Sequence, residues 1–129
     1  MGAWPAVLVV DDFRTMTEIM ANLLRQIGVG DIGIAHDGYS ALDLLRTGRF
    51  GLLLSDLDMK PMDGQELIAT VRRDPLLCKL PTILVTAKHD RDVSWLSADD
   101  GYIAKPFAAK SLQEMMTKVL QRRGVGQPV

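Results

Sequence analysis

The chain has 129 residues, 47% of them hydrophobic and 24% charged, with a net charge of −1 and one cysteine. That length supports one domain with a core of its own and needs no staple. The near-neutral charge excludes a polybasic nucleic-acid or membrane-surface binder, the lone cysteine excludes an internal disulfide, and no apolar run approaches the roughly twenty residues of a membrane span.

In chain order, residues 6–10 (AVLVV) form a continuous apolar run, the pattern of a strand buried on both faces. Phe13, Met16, Met20, Leu23, Leu24 and Ile27 then recur at helical spacing, and Gly28 closes that helix. Residues 32–36 (IGIAH) read as a second, weaker strand, followed by a short helix in SALDLLRTG that ends at Gly48. The third strand is residues 51–56 (GLLLSD). A helix carrying Leu67, Ile68 and Val71 on one face follows and stops before Pro75. Residues 81–87 (PTILVTA) form the fourth strand. KHDRDVSWLSADD predicts one or two helical turns from Asp90, anchored by Trp95 and Leu96. Residues 101–104 (GYIA) are the last strand, and Leu112, Met115, Met116, Val119 and Leu120 define a final amphipathic helix. Residues 1–129 read as one domain, with a core over about 6–123 and a tail at 124–129. The N-terminus lacks the basic segment of a signal peptide, so a cytoplasmic location is expected.

Several residues carry plain readings. Cys78 is a packing residue, His36 and His89 are surface positions, and the seven methionines fill helix faces. Arg72, Arg73, Arg122 and Arg123 fall in last helical turns, where cations complement the helix dipole.

Five β–α units with short connections imply a parallel sheet covered by helices on both faces. Ligands in such sheets gather at the carboxyl ends of the strands, where the strand order reverses. The residues leaving the strands are Asp11 and Asp12 after the first, Asp56 after the third, Thr86 after the fourth and Lys105 after the fifth. Three acids, a hydroxyl and an ammonium would thus meet at one edge. Singly, each has an ordinary alternative: a turn or helix cap for Asp11 and Asp12, strand propensity for Thr86, a surface lysine for Lys105.

VLVVDDFRTM, the strand-end Asp56 with MDG after it, ILVTA and GYIAKPF resemble the receiver domain of two-component response regulators, especially its stand-alone chemotaxis members. The resemblance runs from about Ala6 to Leu120. It implies the flavodoxin-like (CheY-like) α/β fold, a doubly wound five-stranded parallel sheet in the order 2-1-3-4-5 with five helices, the fourth short. It also implies a phosphoprotein that accepts a phosphoryl group on Asp56 from a sensor histidine kinase or phosphotransfer protein. Clustered carboxylates require a cation, and oxygen ligands without His or Cys suit Mg²⁺. By resemblance Asp12 and Asp56 bind it through their side chains, Asp58 through its backbone carbonyl, and Asp11 through a coordinated water. Lys105 would pair with Asp56 and then with the phosphoryl oxygens, aimed inward by a cis bond to Pro106. Thr86 and Tyr102 would carry the switch, the tyrosine turning from an exposed to a buried rotamer; its plainer reading is a half-buried strand aromatic. Such a protein is a phosphoacceptor with self-catalysed phosphorylation and dephosphorylation, not a turnover enzyme.

Two departures from the family pattern stand out. Where its members usually read D-x-x-M-P, DLDMKPMDG has Lys60 at the proline position and Pro61 one later. The stretch between Thr86 and Tyr102 is about three residues short, close to one helical turn. Asp58 and Lys88, two residues beyond Asp56 and Thr86, are expected to tune water access to the phosphoryl group and to form a salt bridge across the site. Output is expected through a protein target at the face of the fourth helix, fifth strand and last helix, in chemotaxis or a phosphorelay, without nucleic acid or membrane. Two alternatives remain open: a haloacid-dehalogenase-type phosphatase using Asp56 and Asp58, and a phosphate sink or degenerate receiver serving only for interaction.

Overall fold

VLVV has no polar residue to offer to solvent, and β1 (Val7–Val10) accordingly lies inside a sheet with all four side chains buried. The computed structural model describes residues 4–87 and 92–124. The remaining elements are α1 (Arg14–Ile27), β2 (Ile32–Ala35), α2 (Gly38–Leu45), β3 (Leu52–Asp56), α3 (Gly64–Arg73), β4 (Thr82–Thr86), β5 (Gly101–Ala104) and α4 (Ala109–Arg122). The five strands form one sheet in the order β2-β1-β3-β4-β5, and every pairing is parallel. The direction of winding therefore reverses between β1 and β3.

Strand alternation sends neighbouring side chains to opposite faces, and each face has its own helical cover. Val7, Val9, Leu52 and Leu54 pack against Met20 and Leu24 of α1 and Leu112, Met116 and Val119 of α4. Leu8, Val10 and Leu53 pack against Ala41, Leu42 and Leu45 of α2 and Leu67 and Val71 of α3. Local chemistry sets the helix ends. Gly28, at φ +112°, ends α1 in the left-handed conformation that glycine adopts without cost. Asp63 and Glu66 form a reciprocal capping box at the start of α3. The Asp37 carboxylate accepts the Ser40 N–H, so α2 begins earlier than the SALDLLRTG pattern predicts and ends at Leu45, short of Gly48.

The described residues contain four helices, not the five expected. Residues 92–100 form two successive turns, closed by Leu96 N–H to Val93 O at 2.9 Å and Asp100 N–H to Ser97 O at 3.0 Å. Asp92 accepts the Ser94 N–H and Ser97 Oγ accepts the Asp99 N–H. Short polar side chains that bond the backbone two residues on favour turns over a helix. The expected anchoring does occur, since Val93, Trp95 and Leu96 pack on Leu57, Ile68 and Leu84. Lys88 and His89 lie outside the described residues, as do residues 125–129 of the expected tail.

Arg72 and Arg123 do more than complement helix dipoles. Asp100, buried just before β5, accepts hydrogen bonds from Arg72 Nη2 at 2.6 and 2.7 Å and from Arg123 Nε at 3.2 Å and Nη2 at 3.0 Å. The end of α3 on one face and the end of α4 on the other are thereby joined to one carboxylate at the sheet edge. Among the described residues no helix is long and apolar enough to cross a membrane.

Candidate functional site

The carboxyl ends of β1 and β3 lie side by side at the winding reversal, where helices on opposite faces leave a cleft. Asp11 and Asp12 follow β1 and Asp56 ends β3. One carboxylate oxygen from each of these three residues lies within 4.8 Å of the others. Asp11 and Asp56 are 1% and 4% exposed, whereas Asp12 is open to solvent. Lys105, the first residue after β5, reaches in over this edge. Its Nζ lies 3.0 Å from Asp56 Oδ1 and 3.5 Å from Asp11 Oδ2. Its main-chain N–H donates to Thr86 O at 2.7 Å, extending the β4–β5 pairing by one residue, and the Lys105–Pro106 bond is cis as the resemblance implies.

Asp11 both makes a local turn and faces the cleft. Its Oδ1 accepts the Phe13 N–H at 3.0 Å, a local turn that leads into α1, while Oδ2 faces Lys105. Asp12 accepts the main-chain N–H of Lys60 at 3.2 Å. Asp12, Asp58, Met59, Lys60 and Asp63 line the open part of the cleft.

Burial pushes the Asp56 carboxyl up to about 6. The Lys105 hydrogen bond and charge oppose that rise without cancelling it, and the charges of Asp11 and Asp58 add to it. Lys105 is itself held above its ordinary value: burial works against its charge, but the hydrogen bond to Asp56 and the charges of Asp56 and Asp11 outweigh it. Three carboxylates facing one ammonium leave an excess of negative charge at a cleft lined by hard oxygen donors. Such a donor set fits Mg²⁺ or a similar oxygen-seeking cation.

Gly64 shapes this cleft from below. Its N–H donates to Leu57 O at 2.8 Å, and a Cβ there would sit 2.4 Å from Asp56 O and 2.8 Å from Leu57 Cα. The first turn of α3 rests on the backbone of the acid itself. That close approach is the physical reason for glycine in MDG.

Thr86 is buried at the end of β4. Tyr102 is 47% exposed on β5, opposite Leu84 and therefore on the face where residues 92–100 pack. His36 was unremarkable in sequence. Its Nδ1 lies 3.2 Å from Asp11 O and its Nε2 3.4 Å from Arg14 Nη1, so it buttresses the turn after β1. A weak strand ending in histidine gave no sign of that contact.

A family model, the response regulator receiver domain, matches residues 7–117. The chain is 41% identical over 119 residues to the chemotaxis protein CheY of Pseudomonas aeruginosa, covering 90% of this chain and 96% of that protein. It is 39% identical over 119 residues to CheY-3 of Vibrio cholerae, covering 90% and 92% respectively. The crystal structure of the Vibrio cholerae chemotaxis protein CheY4 superposes with a TM-score of 0.81 at 26% identity, covering 92% of this chain and all of the other.

Proposed function

This chain belongs to the response regulator receiver domain family and is CheY-like, and on that premise we propose that Asp56 is its phosphoacceptor. Receivers take phosphoryl groups from histidine kinases and act on partner proteins, generally as switches rather than turnover enzymes. The observation that supports Asp56 is its shared position: within reach of the Asp11 and Asp12 oxygens and 3.0 Å from the Lys105 ammonium.

An Asp56 carboxylate oxygen attacks the phosphorus of a phosphohistidine on the donor. The O–P bond forms as the N–P bond breaks, and the imidazole nitrogen leaves with the electron pair. Asp12 and Asp56 would hold Mg²⁺ through their side chains, with Asp58 contributing its carbonyl and Asp11 a water-mediated contact, and the ion would supply neutralisation of charge on the phosphoryl oxygens. Lys105 follows the negative charge from the Asp56 carboxylate to the transferred group. Water later attacks the phosphorus, releasing inorganic phosphate and restoring the carboxylate. Asp58 and Lys88, two residues beyond Asp56 and Thr86 in the sequence, tune how water reaches the phosphoryl group.

Output follows from Thr86 and Tyr102. The Thr86 hydroxyl donates to a phosphoryl oxygen, drawing the segment after β4 inward, and Tyr102 leaves its exposed rotamer for the space vacated. A target protein reads the change at β5, residues 92–100 and α4. Chemotaxis and a phosphorelay both fit such a contact.

A dehalogenase-type phosphatase is not favoured, because the match to the receiver family spans residues 7–117 and the cleft carries the receiver's acids and lysine together. Incubation with radiolabelled acetyl phosphate and Mg²⁺ tests the assignment. One phosphoryl group per chain is expected, with none on Asp56→Asn; undiminished labelling of that variant would refute it.

A further inference from the structure

The three acids of the cleft are not held alike. Asp11 is buried and tied by the Phe13 N–H and Lys105, and Asp56 is buried against Lys105. Asp12 is exposed, and among the described residues its hydrogen-bond donor is the main-chain N–H of Lys60, 48 positions away and 3.2 Å from Oδ2. That donor exists because residue 60 is not proline. Pro61 follows immediately, and with the two residues in the opposite order the nitrogen at position 60 would carry no hydrogen.

From this geometry we infer that the Lys60 main-chain N–H is a positioning group for Asp12 and sets the divalent-cation affinity of the site. An exposed aspartate is free to rotate and must lose that freedom when a cation arrives. A hydrogen bond to one carboxylate oxygen restricts the rotation beforehand, and ligating carboxylates are themselves typically held this way. The loop after β3 thereby links Asp12 to the strand that carries Asp56. The Lys60 side chain works in the opposite sense. Lys60 is among the residues that line the cleft with Asp12, Asp58 and Asp63, and a positive charge on that residue disfavours an arriving cation. Backbone and side chain of one residue thus act against each other, which makes them separable.

The inference rests on the reading of Asp12 as a Mg²⁺ ligand. Mg²⁺ binding to the whole chain is measured by calorimetry and by tryptophan fluorescence. The double exchange Lys60→Pro with Pro61→Lys preserves charge and composition and deletes the N–H; it is expected to weaken Mg²⁺ binding about tenfold, at the low end of the range for such partners because the site is open. Lys60→Ala keeps the N–H and is expected to bind Mg²⁺ no more weakly than the unaltered chain. In the exchanged variant the Mg²⁺ concentration for half-maximal labelling by acetyl phosphate rises by the same factor, while the plateau moves little. Should the exchange disturb folding, replacing Lys60 by its α-hydroxy analogue exchanges the N–H for an ester oxygen while keeping both side chains and should give at least the same loss. Equal Mg²⁺ affinity in the unaltered chain and in the ester overturns the inference alone. Absence of Mg²⁺ binding in the unaltered chain overturns the reading of the site and the inference with it.

Discussion

Arg72 and Asp100 lie 2.6 Å apart at the amino end of β5, the opposite end from the acidic cleft, with the Asp100 side chain fully buried. Arg123 completes the group at 3.0 Å. Buried charges are costly to strand, because the desolvation of each is offset only by its partner. Arg72→Met therefore leaves Asp100 with one cation and is expected to lower stability by about 2–4 kcal/mol. Replacing all three residues by apolar ones of similar volume is expected to leave it unchanged or raise it by up to about 4 kcal/mol, since no charge is then left unpaired. Urea denaturation of the two variants distinguishes this from a simple loss of packing, which the triple replacement would aggravate.

Asp56 gives the protein a pH dependence of defined sign. Its folded-state pKa of about 6 lies above the ordinary carboxylate value of about 3.9 in the unfolded chain. Between those values the folded state holds a proton that the unfolded state has released. Its contribution to stability accordingly falls as pH rises from about 4 to about 6 and is level above that. Asp56→Asn abolishes the ionisation. Without divalent cations it should be more stable than the unaltered chain by about 1–3 kcal/mol at pH 7.5 and nearly equal near pH 4. If Asp56 holds Mg²⁺ as proposed, added Mg²⁺ is expected to narrow the difference by stabilising the unaltered chain more than the variant. Paired denaturation curves at both pH values, with chelator and with Mg²⁺, provide the measurement.

Lys105 offsets the buried charges of Asp56 and Asp11. Lys105→Met removes that offset at neutral pH and is expected to cost about 1–3 kcal/mol, with a smaller loss near pH 5 where Asp56 takes up a proton. In the Asp56→Asn background the same change should cost less, by a coupling of about 1–2 kcal/mol. A double-mutant cycle reads that coupling directly. Additive effects would mean that Lys105 does not act through the Asp56 charge.

Gly64→Ala tests the close approach of α3 to the acid. A Cβ placed 2.4 Å from Asp56 O forces the helix start or the strand end to move. Overpacking of this kind costs about 1–3 kcal/mol. Because the displaced atom belongs to the proposed phosphoacceptor, the labelling rate with acetyl phosphate should drop as well. A matched Gly30→Ala change, where a Cβ meets nothing within 4 Å, should leave both stability and labelling nearly unaltered.

Local patterns in the chain were enough for the succession of strands and helices and for most of the residues that meet at the cleft, whereas the sheet order 2-1-3-4-5 came from the resemblance. VLVV, LLLSD and TILVT are short apolar runs without alternation, and only burial on both faces of a parallel sheet suits them. Once the strands are known, the residues that leave them must meet at one edge, which is why Asp11, Asp12, Asp56 and Lys105 were legible together. Contacts between residues far apart in sequence carry no such periodic signature. Asp100 finds Arg72 across 28 positions and Arg123 across 23, and Asp12 finds Lys60 across 48. The turns at residues 92–100 likewise depend on which polar side chains bond the backbone and on where Trp95 and Leu96 can be buried. Sequence determined which chemistry gathers at the sheet edge, because alternation and strand ends are local properties. Tertiary structure alone decided how each acid is held, because a hydrogen bond or ion pair depends on distances set only when the whole sheet and its helices have packed.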